Sequence, residues 1–414
     1  MEIKQLTKII KELGFENPTE VQKIAFKYFK EEKSTVFVSP TGTGKTHAYL
    51  IPLLEQINPQ KQLTQALILV PTNELAYQVS EMLKPIAKDI SFKAITARED
   101  RKRLIRFFAN QQPMIVISTP GRLYDLVVKE NVVKVHQAKY LILDEADMLF
   151  DYDFMGQISP VVENLTSLVY VFSATMPNNL VKWINSYFAK VEIIDLSDKI
   201  KLDIDHYLLP AGMDKDLAFF NLLETINPLL CLIFVSKNEK IDVLFEKIRD
   251  KGYNVIKLSA KMSVRERKTI IAEVKQLKYQ YVVASDLAAR GMDFEGVTHV
   301  INYQMPYQSE YYIHRSGRTG RMGAHGEVFS FFEEKEARKF KSLEKAGIKF
   351  IDARIRNKQI IVREKVSKGL SEVEIQAIRK IKKPARVKPG YRKKNKQLIE
   401  KALQEVRRRK RRKR

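Results

Sequence analysis

Two apolar runs, each followed at once by a polar signature, constrain this chain more than any other feature. Val36-Phe37-Val38 leads into Ser39-Pro40-Thr41-Gly42-Thr43-Gly44-Lys45-Thr46, and Leu141-Ile142-Leu143 leads into Asp144-Glu145-Ala146-Asp147. A buried strand that ends in a Gly-rich turn before a helix points backbone N–H groups at one spot, where the helix N-terminus also favours negative charge. Gly42 and Gly44 fall where a Cβ would keep the backbone from approaching a phosphate. Lys45 adds a point charge, and the Thr46 hydroxyl can ligate a metal, with Thr41 and Thr43 completing the loop. Asp144, at the end of a neighbouring strand, is placed to hold Mg2+. In this chain order the two runs predict a magnesium-nucleotide site on an α/β fold. Taken singly, each has a plainer reading: an unliganded strand-to-helix turn for the first, a solvated loop or helix N-cap for the second. Ser39 stands where such loops usually carry their first glycine.

The 414 residues, 44% of them apolar, suffice for two cores of ordinary domain size with chain left over. A single cysteine, Cys231 between Leu230 and Leu232, excludes a disulfide framework and reads as a core residue in a reducing compartment. No stretch approaches the roughly 20 uninterrupted apolar residues of a membrane span, so a soluble, cytoplasmic protein without a membrane partner is expected. The formal charge of +24 is concentrated at the end of the chain. Residues 356–414 hold 24 Lys/Arg against 5 Asp/Glu, a net +19, which leaves +5 for the first 355. Such a tail attracts polyanions by counterion release, and nucleic acid is the expected partner. A solvating or nuclear-targeting tail is the alternative.

Strand-like runs at Ala66–Val70, Met114–Ser118, Tyr140–Leu143 and Val169–Phe172 alternate with segments of helical period, as parallel α/β sheets read. After a polar stretch near Leu196–Asp205 the pattern restarts, with candidates at 229–235, 254–258, 281–284, 299–303 and 328–332. Two α/β lobes joined by a short linker follow: 1–198, a linker at 199–206, 207–355, and a basic tail at 356–414, partly helical or disordered. From about Arg356 the strand signals thin out. Residues 397–406 carry apolar positions at helical spacing and predict a basic helix.

In the second lobe, Ala284-Ser285-Asp286-Leu287-Ala288-Ala289-Arg290-Gly291-Met292-Asp293 precedes His314-Arg315-Ser316-Gly317-Arg318-Thr319-Gly320-Arg321. Guanidinium groups stay protonated and donate directionally, which suits them to the charge that develops during phosphoryl transfer. They suit nucleic-acid phosphates equally well. With a nucleotide site in the first lobe, closure of the two would bring Arg318 and Arg321 to it.

Together these segments identify a resemblance to the DEAD-box RNA helicases, over roughly residues 14–332. The phosphate loop, Pro71-Thr72-Asn73-Glu74-Leu75-Ala76, Thr119-Pro120-Gly121-Arg122, Asp144–Asp147, Ser173-Ala174-Thr175, Ile233-Phe234-Val235 and both second-lobe motifs occur in family order. Gly14-Phe15-Glu16-Asn17-Pro18-Thr19-Glu20-Val21-Gln22 is similar to the family's adenine-sensing Q motif. A Gln amide offers both the donor and the acceptor that the N6/N7 edge of adenine requires.

The resemblance implies two tandem RecA-like parallel-sheet domains and ATP-dependent unwinding of short RNA duplexes, with ATP and Mg2+ as cofactors. It implies that Phe15, Thr19, Gln22, Thr41–Thr46 and Asp144 bind nucleotide and that Asp293 contacts the ribose. Lys45, Glu145, Arg318 and Arg321 act in hydrolysis, and Thr46 and Asp144 hold the metal, partly through water. Ser173, Thr175, Asp147 and His314 couple hydrolysis to closure. Thr72, Thr119, Gly121, Arg122 and Ser285 contact the RNA backbone. Expected protein-bound partners are ribosomal particles or RNA-decay proteins.

The chain departs from the family pattern at several places. Thr96-Ala97-Arg98-Glu99 stands for a Thr-x-Gly-Gly segment, Asn73 for Arg, Lys237 for Thr, Val264 for Gln and Gln304 for Asp, and no His-Gly pair occurs near Ser259-Ala260-Lys261. An affinity switch without hydrolysis and a DNA-directed motor are the competing readings.

Overall fold

The computed structural model describes residues 2–363 apart from 97–98, 152–153, 164, 198, 201, 237–238, 260, 287–293 and 322, together with 377, 401–402 and 404–405. The chain forms two compact units, Met1–Ile361 and Val362–Arg414. The first contains two separate sheets.

The first sheet comprises β1 (Thr35–Val38), β2 (Ala66–Leu69), β3 (Phe92–Ile95), β4 (Ile115–Ser118), β5 (Tyr140–Asp144), β6 (Leu168–Ser173) and β7 (Glu192–Asp195), in the order β3-β4-β2-β5-β6-β1-β7. All its pairings are parallel. Parallel strands are covered by helices on both faces, which is why β1, β2, β4 and β5 are unbroken apolar runs and wholly buried. One core cluster lies on each face. Helices Lys45–Gln56 and Asn73–Leu83 cover one face with Tyr49, Leu50, Leu75 and Val79, while Arg101–Asn110 and Asn178–Tyr187 cover the other with Leu104, Phe108 and Trp183.

The second sheet comprises β8 (Ile204–Pro210), β9 (Leu230–Phe234), β10 (Val255–Leu258), β11 (Tyr281–Ala284), β12 (Val297–Asn302), β13 (Gly326–Phe332), β14 (Phe350–Arg356) and β15 (Gln359–Val362), in the order β10-β11-β9-β12-β13-β8-β14-β15. Cys231 lies fully buried in β9, as its apolar neighbours predict.

The α/β class and the two-sheet division are as expected from the sequence, and ten of the fifteen strands fall on the predicted runs. The other five are β3, β7, β8, β14 and β15, while β12 and β13 each start two residues earlier than expected. β8 begins at Ile204, inside the polar stretch read as a linker. The second sheet also runs past Arg356. Asn357 and Lys358 both adopt positive φ, 52° and 54°, and form a two-residue turn from β14 into β15. Such a turn matches the twist of a hairpin, and Asn tolerates the left-handed region better than most residues. In the segment read as a basic helix, residues 401–402 and 404–405 are helical and the remainder lies outside the described residues.

Candidate ATP and RNA site

The C-terminal ends of β5, β6 and β1 are adjacent in the first sheet, and each delivers one of the expected motifs. The crevice beyond the carboxyl ends of parallel strands is where such folds bind ligands. After β1 the loop turns through Gly42 and Gly44, both left-handed at φ 81° and 85°, and enters helix Lys45–Gln56. Lys45 Nζ donates to Ser39 O (2.7 Å) and Pro40 O (3.1 Å), which holds the ammonium inside the loop's curve. Thr43 Oγ1 donates to Pro40 O at 2.9 Å and lies 3.2 Å from Ser39 Oγ, so Ser39 contributes a hydroxyl to the loop where a glycine would contribute none.

Gln22 is buried, with its amide partly committed. Its Nε2 donates to Gly44 O (3.2 Å) and its Oε1 accepts from Thr19 N (2.9 Å). An amide has two N–H donors and two carbonyl lone pairs, so one of each remains for a base edge. Phe15 packs edge-on against His47, with ring centroids 5.6 Å apart.

Asp144 ends β5 with its carboxylate fully inside. Burial, then the adjoining Glu145 carboxylate, push it up to about 7, against the pull of Tyr49 and Lys45. Tyr49 Oη donates to Asp144 Oδ2 at 2.9 Å. The sequence reading missed Tyr49. It lies one helical turn after Lys45, and only the pairing of β5 with β6 and β6 with β1 brings that turn to Asp144. Glu145 adopts φ 47°, a conformation that costs a non-glycine residue about 1 kcal/mol or more and is kept where its surroundings enforce it. Here its N–H donates to Asp144 Oδ1 at 2.9 Å.

Thr41 Oγ1 and Glu145 Oε2 are buried atoms without a hydrogen-bond partner. Two orphaned oxygens, adjacent carboxylates with one held near neutrality, a buried lysine whose pKa burial lowers, and glycines that admit no side chain together fit a magnesium-nucleotide.

Asp147 connects this site to the next strand and to the second lobe. Its Oδ2 accepts from Thr175 N and Thr175 Oγ1, each at 2.9 Å, while its own N–H donates to Ser173 Oγ at 3.1 Å. Ser173 Oγ in turn donates to Thr175 O (2.6 Å). From the second lobe, His314 Nε2 approaches Asp147 Oδ2 to 3.4 Å, with both side chains buried. Burial opposes ionisation of Asp147, but His314, Lys45 and Thr175 outweigh it and hold the carboxyl well below the usual range.

Helix Ser309–Ser316 carries His314 and ends at Gly317, whose hypothetical Cβ would stand 1.5 Å from Thr41 Oγ1. A Cβ on Gly42 would meet Arg321 Cγ at 2.7 Å. Arg321 is anchored by Nε to Gly317 O at 2.8 Å, and burial lowers its pKa to about 10, against the attraction of Glu145. Arg318 is buried on the same turn. The structure therefore brings Arg321 of the second lobe to the phosphate loop. Asp293 lies outside the described residues, as do Lys237, Ala97, Arg98 and Ala260.

Arg315, quoted in the motif but given no role, is the second feature the sequence reading missed. All five of its donors are satisfied: Nε and Nη2 by Asp286, Nη1 by Asn302 Oδ1 (2.9 Å) and Gln304 O (2.6 Å), and Nη2 also by Ser236 Oγ (3.3 Å). Gln304 accepts Ser236 N on its side-chain oxygen (3.1 Å), so the residue that departs from the family pattern is built into this anchor.

The expected RNA contacts of the first lobe follow β2 and β4, which β5 and β6 separate from the strand that leads into the phosphate loop. Thr72 follows β2 and Thr119 follows β4, and these strands pair directly, Leu69 opposite Ser118. Thr72 Oγ1 caps helix Asn73–Leu83 by accepting Leu75 N (3.2 Å), which leaves its O–H to donate elsewhere. Gly121 sits where a Cβ would lie 3.0 Å from Gln157 Oε1, and Arg122 is on the same short helix. Ser285 lies buried just beyond β11 in the second lobe. Glu74, beside Thr72, and Arg267 of the second lobe pair at 3.6 Å.

A family model described as DEAD/DEAH box helicase matches residues 19–183, and one described as helicase conserved C-terminal domain matches residues 214–323. The DEAD-box ATP-dependent RNA helicase CshB of Bacillus subtilis strain 168 is 35% identical, covering 96% of this chain and 94% of the relative. The chain belongs to the DEAD/DEAH box helicase family. Within that family, CshB of Listeria monocytogenes is 33% identical over 98% of this chain and 95% of its own length. Among solved structures, S. cerevisiae Dbp5 bound to RNA and ADP BeF3 aligns with a TM-score of 0.74 and 25% identity, over 84% of this chain and 93% of that one. Mss116p bound to ssRNA and AMP-PNP aligns with a TM-score of 0.72 and 25% identity, over 84% and 76%. The two sheets are the tandem RecA-like domains of such helicases. Among the described residues no helix is long and apolar enough to cross a membrane.

Proposed function

We propose that this DEAD-box protein is an RNA-stimulated ATPase that closes its two lobes on a single RNA strand and thereby separates short duplexes. The apposition of Arg321 and Gly317 to the phosphate loop carries this reading, because two lobes then share one nucleotide site. Bound Mg2+-ATP supplies the scissile phosphoryl group and the metal that neutralises its charge. Lys45, Thr46 and the loop N–H groups bind the phosphates, Gln22, Thr19 and Phe15 the base, and Asp293 the ribose, while Thr46 and Asp144 hold Mg2+. Glu145 positions or deprotonates the attacking water, and Arg318 with Arg321 stabilises developing charge from across the cleft. Asp147, Ser173, Thr175 and His314 link occupation of the site to closure.

Thr72, Thr119, Gly121, Arg122 and Ser285 contact the sugar-phosphate backbone, which fixes one strand without reading its bases. A ligand that touches both lobes favours the closed arrangement, so ATP and RNA bind cooperatively. Unwinding is local and falls with duplex length. The division into two lobes and a basic tail, with the second lobe taken from β8 at Ile204 to β15 at Val362, a cytoplasmic location, and delivery by the tail to ribosomal particles or RNA-decay proteins belong to the same proposal.

The test is ATP turnover with RNA, with DNA and with neither, for the native chain and Glu145→Gln. Stimulation by RNA that disappears in the variant is expected. Equal stimulation by DNA indicates a DNA motor, and RNA binding gated by ATP without turnover indicates an affinity switch.

A further inference from the structure

The helix that follows β3, Arg101–Asn110, departs from the pattern around it in charge. It begins directly after the segment that replaces Thr-x-Gly-Gly and reads Arg101-Lys102-Arg103-Leu104-Ile105-Arg106. Leu104 and Phe108, four residues apart, are buried against the sheet. Lys102, Arg103 and Arg106 occupy the opposite, exposed face, since residues three and four apart on a helix are neighbours. The acidic groups around this face are already engaged. Glu99 pairs with Lys93 (2.6 Å), Glu130 with Arg101, Asp125 with Lys129 (2.8 Å), and Asp100 caps the helix by accepting Arg103 N (2.9 Å). No ion pair within the described residues engages Lys102, Arg103 or Arg106, which leaves an excess of three positive charges on one turn and a half of helix.

The position of this face gives the charge a use. β3 pairs with β4 in register, Ile95 opposite Ser118, and Ser118 Oγ donates to Ile95 O at 3.4 Å. Neighbouring strands lie about 4.8 Å apart. The chain leaving β3 toward Arg101 therefore starts one strand over from Thr119, Gly121 and Arg122. Helix Arg101–Asn110 also shares a core cluster with Leu123 and Leu126 of the segment that follows Thr119, and Arg101 reaches Glu130 beyond it.

We propose that Lys102, Arg103 and Arg106 form an extension of the RNA track on the first lobe, binding the phosphates of single-stranded RNA beyond the nucleotides held at Thr119–Arg122. Long cationic side chains reach phosphates without close backbone approach, which suits an exposed helix face to this contact. The contact is with the phosphates alone and carries no base preference. This inference rests on the RNA reading above.

The experiment measures binding of fluorescein-labelled oligouridylate of 6 and 25 nucleotides to the full chain with Mg2+ and a non-hydrolysable ATP analogue, over a salt series. The variant is K102Q/R103Q/R106Q, whose changes are all exposed. Each phosphate contact on a single strand contributes about 0.7 to the slope of log affinity against log salt, so three contacts predict a slope lower by about 2. The variant should bind the 25-mer about tenfold or more weakly at low salt with that flatter slope, and the 6-mer as the native chain does. Unchanged affinity and slope for the 25-mer overturn the extension, as does an equal loss on the 6-mer. Failure of the native chain to bind either RNA is a different outcome, which removes the RNA reading itself.

Discussion

Gly317 of the second lobe faces Thr41 of the first so closely that a Cβ on it would lie 1.5 Å from the threonine hydroxyl and 2.8 Å from its Cβ. The φ of Gly317 is ordinary, so the glycine is required by the neighbour and not by the backbone. Gly317→Ala should therefore keep the lobes from meeting while each folds normally. RNA-stimulated ATP turnover is expected to fall at least about a hundredfold, since a misplacement of about 1 Å at a catalytic constellation already costs that much. Binding of a fluorescent ATP analogue, which needs the first lobe, should stay within a few-fold. Native turnover in the variant would mean that this contact is not part of the working state.

The Tyr49 hydroxyl fixes one oxygen of Asp144 and gives the carboxylate a donor within its buried setting. Tyr49→Phe removes that donor with little change in shape. Partners that orient a metal ligand typically contribute 10- to 100-fold in metal affinity. The variant should need about tenfold more Mg2+ for half-maximal turnover, with maximal turnover at saturating metal little changed. A Mg2+ titration that overlays the native curve would rule out an orienting role.

Asp147 provides a pH signature. Its folded pKa is depressed, so the stability it contributes is present above the unfolded carboxyl value near 4 and is lost as pH falls through the folded pKa. Asp147→Asn also leaves Thr175 and His314 with a weaker acceptor, and should cost about 1–3 kcal/mol at neutral pH. Urea melts at pH 7 and pH 3 distinguish the cases: the gap between native chain and variant should narrow at the lower pH. A gap independent of pH would place the stability elsewhere.

The tail can be cut more accurately with the hairpin known. β14 and β15 run to Val362, so a deletion at Arg356 would remove a strand of the second sheet, whereas deletion of residues 364–414 spares it. The shorter cut should weaken RNA binding and flatten its dependence on salt, and leave turnover without RNA intact. An unaltered salt slope would exclude the tail as an electrostatic anchor.

The parts of the site that were legible in the sequence are those where chemistry demands adjacent residues. A phosphate loop needs its glycines, lysine and threonine in one turn, and Asp144 through Asp147 share one strand end, so both appear as contiguous words. Central strands such as β2 and β5 were legible because burial on both faces leaves unbroken apolar runs. β7 and β15 lie at sheet edges with exposed side chains, and β3 is only half-buried, so none of them carries that signal. Tyr49 with Asp144, Arg267 with Glu74 and Arg315 with Asp286 are long-range partnerships made by strand order and lobe contact. Each residue in them is ordinary in its own window of sequence.

The central claim is that an arginine of the second lobe completes the nucleotide site of the first, and single-turnover ATP hydrolysis at saturating RNA tests it most directly. Arginines supplied across such a cleft are worth about 10³–10⁵ in rate. With Arg321→Ala, hydrolysis should fall by about a thousandfold while ATP-analogue binding to the first lobe is retained; a variant that hydrolyses ATP within a few-fold of the native chain would contradict the account.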